Sequence, residues 1–285
     1  MSGPRTERAR SLDEALELLA EHGEGCAPLG GGTWVMRSWQ RGESLKQIYV
    51  VLDRLEELKH IEQGTTFRIG ALATHDRLAQ ALTAPAVAVI GAAARASAFP
   101  AIRSIATVAG NLCADPFPEA DLVPALLAAD ARVELAALDG RRDEAVEELL
   151  RRRPRIAPGT LVEHILVPSP VGRVSAYERL TIRGGGEYPI VSVAVSVDLE
   201  PDGTVQAARV AVGGAEETAR LYRGTAAALV GRPLGREQAV AAGEAAAAEC
   251  VPREGLDAPA WYRTAVLPTL MHDAVQQLLQ RLGPA

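Results

Sequence analysis

An α+β fold in two parts is what the sequence predicts, on three observations. Strand and helix signals alternate through the first half of the 285 residues. The clearest hairpin, with two alternating segments joined by Glu-Pro-Asp-Gly-Thr at 200–204, opens the second half, and helical patterns close it. Arg- and Pro-rich composition marks a boundary near 150–175, so the expected domains are 1–170 and 171–285.

In order, 11–22 reads as a helix: Ser11 caps it, Glu14 stands three residues on, and Leu12, Ala15, Leu16 and Leu19 form an apolar stripe. Cys-Ala-Pro-Leu at 26–29 reads as a buried strand, followed by three glycines and a short helix over 33–39. Strands are expected at 46–51 and 66–70, then a helix over 75–82 capped by Thr74 and an Ala-rich helix within 86–97. Residues 97–118 break both periodicities, and a loop that long inside a compact domain points to a bound group. A helix over 121–130 and strands at 131–136 and 161–167 complete this half. Beyond it come strands at 189–199 and 205–212 and helices over 223–230, 237–249 and 262–281, with the sheet expected to be antiparallel and the helices on one side.

Composition excludes several functions. With 30 Lys+Arg against 36 Asp+Glu, the net charge of −6 offers no footprint for nucleic acid. The basic run at 151–155 is short and flanked by acidic residues, so it reads as linker or subunit contact. Cys26, Cys113 and Cys250 are far apart and form no Cys-x-x-Cys pair, so this chain alone offers no iron–sulfur or zinc pattern, and a reducing, cytoplasmic compartment is expected. No apolar run reaches membrane-spanning length. Histidines 22, 60, 75, 164 and 272 share no metal or catalytic spacing, so neither catalytic residues nor metal ligands are assigned.

Two loops carry the chemistry. Gly30, Gly31 and Gly32 with the Thr33 hydroxyl can form a nest of N–H donors for an anion, or an ordinary tight turn. Neither G-x-G-x-x-G nor a P-loop ending is present. The second loop, Thr107-Val-Ala-Gly-Asn111, pairs side-chain donors with small residues, and two such loops can clasp one pyrophosphate. Asp121 precedes an apolar helix and reads as its N-cap. Any redox chemistry must then be a cofactor's.

Taken together, these loops resemble those of the FAD-binding medium subunit of bacterial molybdenum hydroxylases, the group of carbon monoxide and xanthine dehydrogenases. L-G-G-G-T-W at 29–34 is similar to A-G-G-T-D-L of that family, with Gly30 at a common Ala and Trp34 at the usual Asp. I-R-S-I-A-T-V-A-G-N-L at 102–112 resembles I-R-N-x-G-T-x-G-G-N-L, with Ser104, Ala106 and Ala109 as departures. Y-E-R-L-T-I-R at 177–183, E-Y-P-I-V-S-V-A at 187–194 (Glu187 at a frequent Asp), G-R-P-L at 231–234 and A-W-Y-R at 260–263 continue the likeness over nearly the whole chain.

The resemblance implies a two-subdomain FAD-binding domain of the vanillyl-alcohol-oxidase-like (PCMH-type) fold plus a C-terminal α+β domain. It implies that Gly31, Gly32 and Thr33 contact the FAD pyrophosphate with Gly30 beside them, that Trp34 is among the cofactor-binding residues, and that Thr107, Ala109, Gly110 and Asn111 close the other side mainly through backbone. Asp121 would hold the adenosine end through a hydroxyl. Ile165 or Leu166 would lie near the flavin edge, Tyr188 over one face of the isoalloxazine, and Arg183 in support. Partners would be a large molybdopterin subunit and a small subunit with two 2Fe–2S clusters, in a dimer of heterotrimers. Electrons would pass from the clusters through FAD to NAD, a quinone or oxygen. Other readings are a self-contained flavin oxidoreductase and a flavin-free assembly subunit.

Overall fold

The structure is a computed structural model that describes residues 3–153, 156–183 and 188–282. Pro154 and Arg155 of the basic run, and Glu187, lie outside the described residues.

In chain order the elements are β1 (Arg5–Arg8), α1 (Leu12–His22), β2 (Cys26–Leu29), α2 (Thr33–Gln40), β3 (Ile48–Val51), β4 (Ile61–Glu62), β5 (Thr66–Gly70), α3 (His75–Ala81), α4 (Ala88–Ala96), α5 (Pro100–Arg103), α6 (Val108–Cys113), α7 (Leu122–Ala128), β6 (Arg132–Ala137), β7 (Gly140–Ala145) and α8 (Val146–Arg152). There follow β8 (Leu161–Pro168), β9 (Arg173–Leu180), β10 (Val191–Leu199), β11 (Val205–Gly213), β12 (Arg220–Leu221), α9 (Arg223–Ala227), α10 (Arg236–Glu249), α11 (Ala260–Ala265) and α12 (Leu267–Leu282).

Three sheets result. β1 and β2 flank β3 in a small parallel sheet, with α1 as cover: its stripe of Ala15, Leu16 and Leu19 is buried against Ile48 and Val50. Ser11 accepts a hydrogen bond from Glu14 N–H at 3.2 Å, the cap expected from the sequence. A five-stranded antiparallel sheet follows, in the order β4-β5-β8-β6-β7. The third sheet runs β12-β11-β10-β9, also antiparallel. The β10–β11 turn is fixed by Gly203 at φ 84° and by Asp202, which accepts from Thr204 N–H at 2.9 Å.

β10 explains how the halves join. Its sequence V-S-V-A-V-S-V puts Val191, Val193, Val195 and Val197 on one face, where they pack with Leu267, Met271 and Leu278 of α12. The other face carries only Ser192, Ala194 and Ser196, and Ala194 joins the core that holds α4 and α7. Small side chains on that face let helices of the first half approach closely. The sheet is thus covered on both faces, by its own helices on one and by the first half's on the other.

The stretch 97–118, with its broken periodicity, contains two short helices, α5 and α6. Pro100 starts α5 at a position where a missing N–H has no consequence, and Thr107 caps α6 by accepting from Gly110 N–H at 3.2 Å. Both signals are local and only one turn long, so no hydrophobic period announces them.

Candidate functional site

A cleft of about 910 Å³ lies where the small parallel sheet, the second loop and connecting segments of the C-terminal half meet. Its first wall is the glycine run, and each glycine serves a different physical end. A Cβ on Gly30 would stand 2.9 Å from Thr107 Oγ1. One on Gly31 would stand 1.8 Å from the carbonyl oxygen of Ile105, so the two loops touch backbone to backbone. Gly32 has φ 71° and no atom nearer its Cβ position than Leu29 Cδ1 at 3.7 Å. Gly32 is also the N-cap of α2, and no side chain caps that helix. Among the described residues nothing accepts a hydrogen bond from the N–H groups of Gly31, Gly32, Thr33 or Trp34. An uncapped helix start of this kind is a ready anion site.

The second wall is held by the segment 71–75, a turn that leads into α3. Ala73 O accepts from Val108 N–H at 3.0 Å, Ala71 O from Ala109 N–H at 3.2 Å, and Ala106 O from His75 N–H at 3.0 Å. Asn111 Oδ1 accepts from Leu122 N–H at 3.2 Å, tying the loop to α7. The N–H groups of Ala109 and Gly110 are therefore committed inside the protein, so this loop faces the cleft through side chains rather than mainly through backbone. From this wall the Thr107 hydroxyl and the Asn111 amide nitrogen remain as donors.

An aromatic group closes one end. Trp34 stacks on Phe117 with ring centroids 4.2 Å apart, and Phe117 meets Tyr188 edge-on at 5.2 Å. The Arg37 guanidinium lies 4.7 Å from the Tyr188 ring centroid and that of Arg41 4.6 Å from the Trp34 ring centroid. Asp121 is buried in the same lining. Its Oδ1 accepts from Tyr177 O–H at 2.6 Å and from Arg179 at 2.8 Å, yet burial outweighs both donors and pushes its pKa up to about 6. The two other lining carboxylates are paired: Glu119 with Arg253, and Asp257 with Arg263 at 2.6 Å.

His75 is in the cleft wall, and Phe99 and Ile102 stand with it in the lining. Its Nδ1 is 2.6 Å from Ser97 Oγ, and that hydroxyl donates to Ala94 O at 2.9 Å. Ser97 therefore accepts from Nδ1–H, which leaves Nε2 as a bare acceptor with no partner among the described residues. Burial holds the imidazole neutral and depresses its pKa to about 4.

Of the residues singled out from the sequence, Gly30, Gly31, Gly32, Thr33, Trp34, Thr107, Gly110, Asn111, Asp121 and Tyr188 all line this one cleft. Four do not. Ile165 and Leu166 sit in β8, the central strand of the five-stranded sheet, where Ile165 is wholly buried opposite Ile69 and Val133. Ala109 packs against the core, and Arg183 is exposed beyond the lining residue Ile182. Asp121 is not a side-chain cap: its backbone is helical and its carboxylate turns to β9. The residues missed were Arg37, Arg41, Phe117 and His75. Arg37 and Arg41 follow Trp34 at three and seven residues, a helical spacing that carries them onto its face. Away from the cleft, a bulge in β8 brings Glu134, Glu163 and His164 within 4.8 Å of one another, but Arg68 and Arg141 already hold the two carboxylates.

The class defined by fold and cleft is a cofactor-holding α+β protein, and comparison with known families makes this specific. Residues 4–170 match the FAD binding domain in molybdopterin dehydrogenase, and residues 175–278 the CO dehydrogenase flavoprotein C-terminal domain. The chain belongs to that family, as an FAD-binding medium subunit of the molybdenum hydroxylase type. It is 30% identical to the 6-hydroxypseudooxynicotine dehydrogenase complex subunit alpha of Paenarthrobacter nicotinovorans, covering 97% of this chain and 94% of that one. It is 27% identical to the carbon monoxide dehydrogenase medium chain of Hydrogenophaga pseudoflava, covering 93% of each. The structure of reconstituted CO dehydrogenase from Oligotropha carboxidovorans superposes with a TM-score of 0.89 at 27% identity, covering 99% of both chains.

The cleft suits the cofactor this family binds. An uncapped helix start, an open glycine at 32 and a second loop in contact with the first give phosphate oxygens donors without a compensating lysine.

Proposed function

We propose that this chain holds FAD in a heteromeric molybdenum hydroxylase and hands electrons onward from a partner's clusters. The observation that carries this is the meeting of the bare α2 N-terminus and the second loop in one cleft. Gly31, Gly32, Thr33 and Trp34 offer backbone N–H groups to the pyrophosphate, with Thr107 and Asn111 opposite. Asp121 accepts a hydroxyl of the cofactor, and Tyr188 covers the isoalloxazine. FAD supplies the carrier that takes electrons from 2Fe–2S clusters and gives them to NAD, a quinone or oxygen. The domains are 1–170 for the cofactor and 171–285 for the remainder.

Substrate oxidation is assigned to a large molybdopterin subunit and the clusters to a small subunit, in a dimer of heterotrimers. All three cysteines of this chain are free and separate, which supports that division. A cytoplasmic site of action is in keeping with them. Among the described residues no helix is long and apolar enough to cross a membrane.

The purified chain should take up FAD and show flavin absorption bands near about 370 and 450 nm. Protein that stays colourless after incubation with FAD, alone and within its complex, would sink this reading. Native co-purification should bring down iron- and molybdenum-bearing companions; recovery as a lone monomer would favour a self-contained flavoenzyme.

A further inference from the structure

We infer that Arg37 is the residue whose charge tunes the bound flavin ring, an inference that rests on the placement of the isoalloxazine beside Tyr188. Helix α2 presents Thr33, Trp34, Arg37 and Arg41 along one face. Arg37 stands one turn, about 6 Å along the axis, beyond the helix start that faces the pyrophosphate. Its guanidinium lies 4.7 Å from the Tyr188 ring centroid, on the side of the cleft given to the ring.

The charge balance singles this residue out. Glu119, Asp121 and Asp257 are each neutralised by an arginine. Arg41 is forked onto Glu43, with contacts of 2.5 and 3.1 Å. Arg37 has no carboxylate partner among the described residues. Among the described residues it is therefore the cation at this end of the cleft left without a carboxylate. A reduced flavin carries negative charge at N1 and the C2 carbonyl, so a nearby cation favours the reduced form more than the oxidised one. Arg37 thus raises the reduction potential of the ring, whereas Arg41, already paired, contributes little.

The test compares FAD-loaded wild type with Arg37→Gln, Arg37→Lys and the double change Arg41→Gln with Glu43→Gln. FAD affinity is read first, then the reduction potential by spectroelectrochemistry and the affinity for sulfite. Sulfite is a direct probe because its sulfur lone pair forms a bond to flavin N5 and leaves negative charge at N1. Arg37→Gln should keep its flavin, lower the potential and weaken sulfite binding about three- to tenfold. Arg37→Lys should restore most of this, because it keeps the charge while losing the planar stack. Arg41→Gln combined with Glu43→Gln removes the ion pair as a unit and should change sulfite affinity less than about twofold. An Arg37→Gln protein that holds FAD and titrates like wild type overturns the inference alone. An equal effect of removing the Arg41–Glu43 pair also overturns it. A wild-type chain and complex that bind no FAD overturn the underlying cofactor assignment as well.

Discussion

Gly31 and Gly32 are neighbours with opposite requirements. Gly31 exists for contact: an added methyl meets Ile105 O at 1.8 Å, and one of the two loops has to move. Gly32 exists for conformation: its Cβ position is open, but φ 71° is left-handed. Gly32→Ala should therefore cost about 1–2 kcal/mol of chain stability and, by projecting into the cleft, at least about tenfold in FAD affinity. Gly31→Ala should cost more in both, because the contact between the loops is lost. Urea unfolding without FAD ranks the two, and a less damaging Gly31→Ala would contradict the contact described. His75 predicts a pH dependence. Its folded pKa, about 4, is depressed below the ordinary 6.5, so the unfolded chain binds the proton more readily and stability falls as pH falls from 6.5 through 4. From pH 7 to 5 this one group should remove roughly 2 kcal/mol. His75→Asn should flatten that part of the slope, and an unchanged slope would mean that His75 titrates normally.

At the scale of elements, the link between halves that is most open to test is the start of α4. Its N-cap residue, Val87, offers no side-chain hydrogen bond. Instead Ser175 of β9, wholly buried, accepts from Val89 N–H at 3.0 Å and donates to Pro85 O at 2.7 Å. Ser175→Ala leaves both backbone groups buried without a partner and should destabilise the fold by about 1–3 kcal/mol in chemical denaturation. A loss under about 0.5 kcal/mol would mean that water replaces the hydroxyl. The serine also shows what a sequence reading registers. Elements with their own period and caps, such as α1, α3 and the β10–β11 hairpin, are visible because every signal is local. β1 and β7 are not, since R-T-E-R and G-R-R-D-E-A carry no apolar face. They form at sheet edges through backbone pairing, aided in β7 by the Arg132–Asp143 ion pair at 2.6 Å. The two glycine loops were legible for the same local reason. The place of Ile165 or Leu166 near the flavin edge comes from the family resemblance alone, and nothing in their own residues reveals that β8 is a central strand.

Across the whole molecule the cleft is lined from both halves, and Asp121 is where they meet. It precedes α7 in the first half, yet its donors, Tyr177 and Arg179, come from β9 of the second. That partnership lies 56 and 58 residues away in sequence, so the N-cap pattern was the only reading the local residues allowed. The consequence is that a change outside the FAD-binding domain should be felt in cofactor affinity. Burial already raises the Asp121 carboxyl to about 6, and the Tyr177 hydroxyl pulls against that rise. Tyr177→Phe removes this pull, so the pKa climbs further and more of the carboxyl is protonated near neutrality. A protonated Asp121 is a poorer acceptor for a cofactor hydroxyl, so FAD affinity at pH 7 should fall about three- to tenfold. The sign is checked by pH. Wild-type affinity should improve as pH rises through about 6, and that of Tyr177→Phe through a higher value, so that the two draw together in mild alkali. Identical FAD titrations for both proteins from pH 5 to 8 would show that the second half covers the cleft without acting on the cofactor through Asp121.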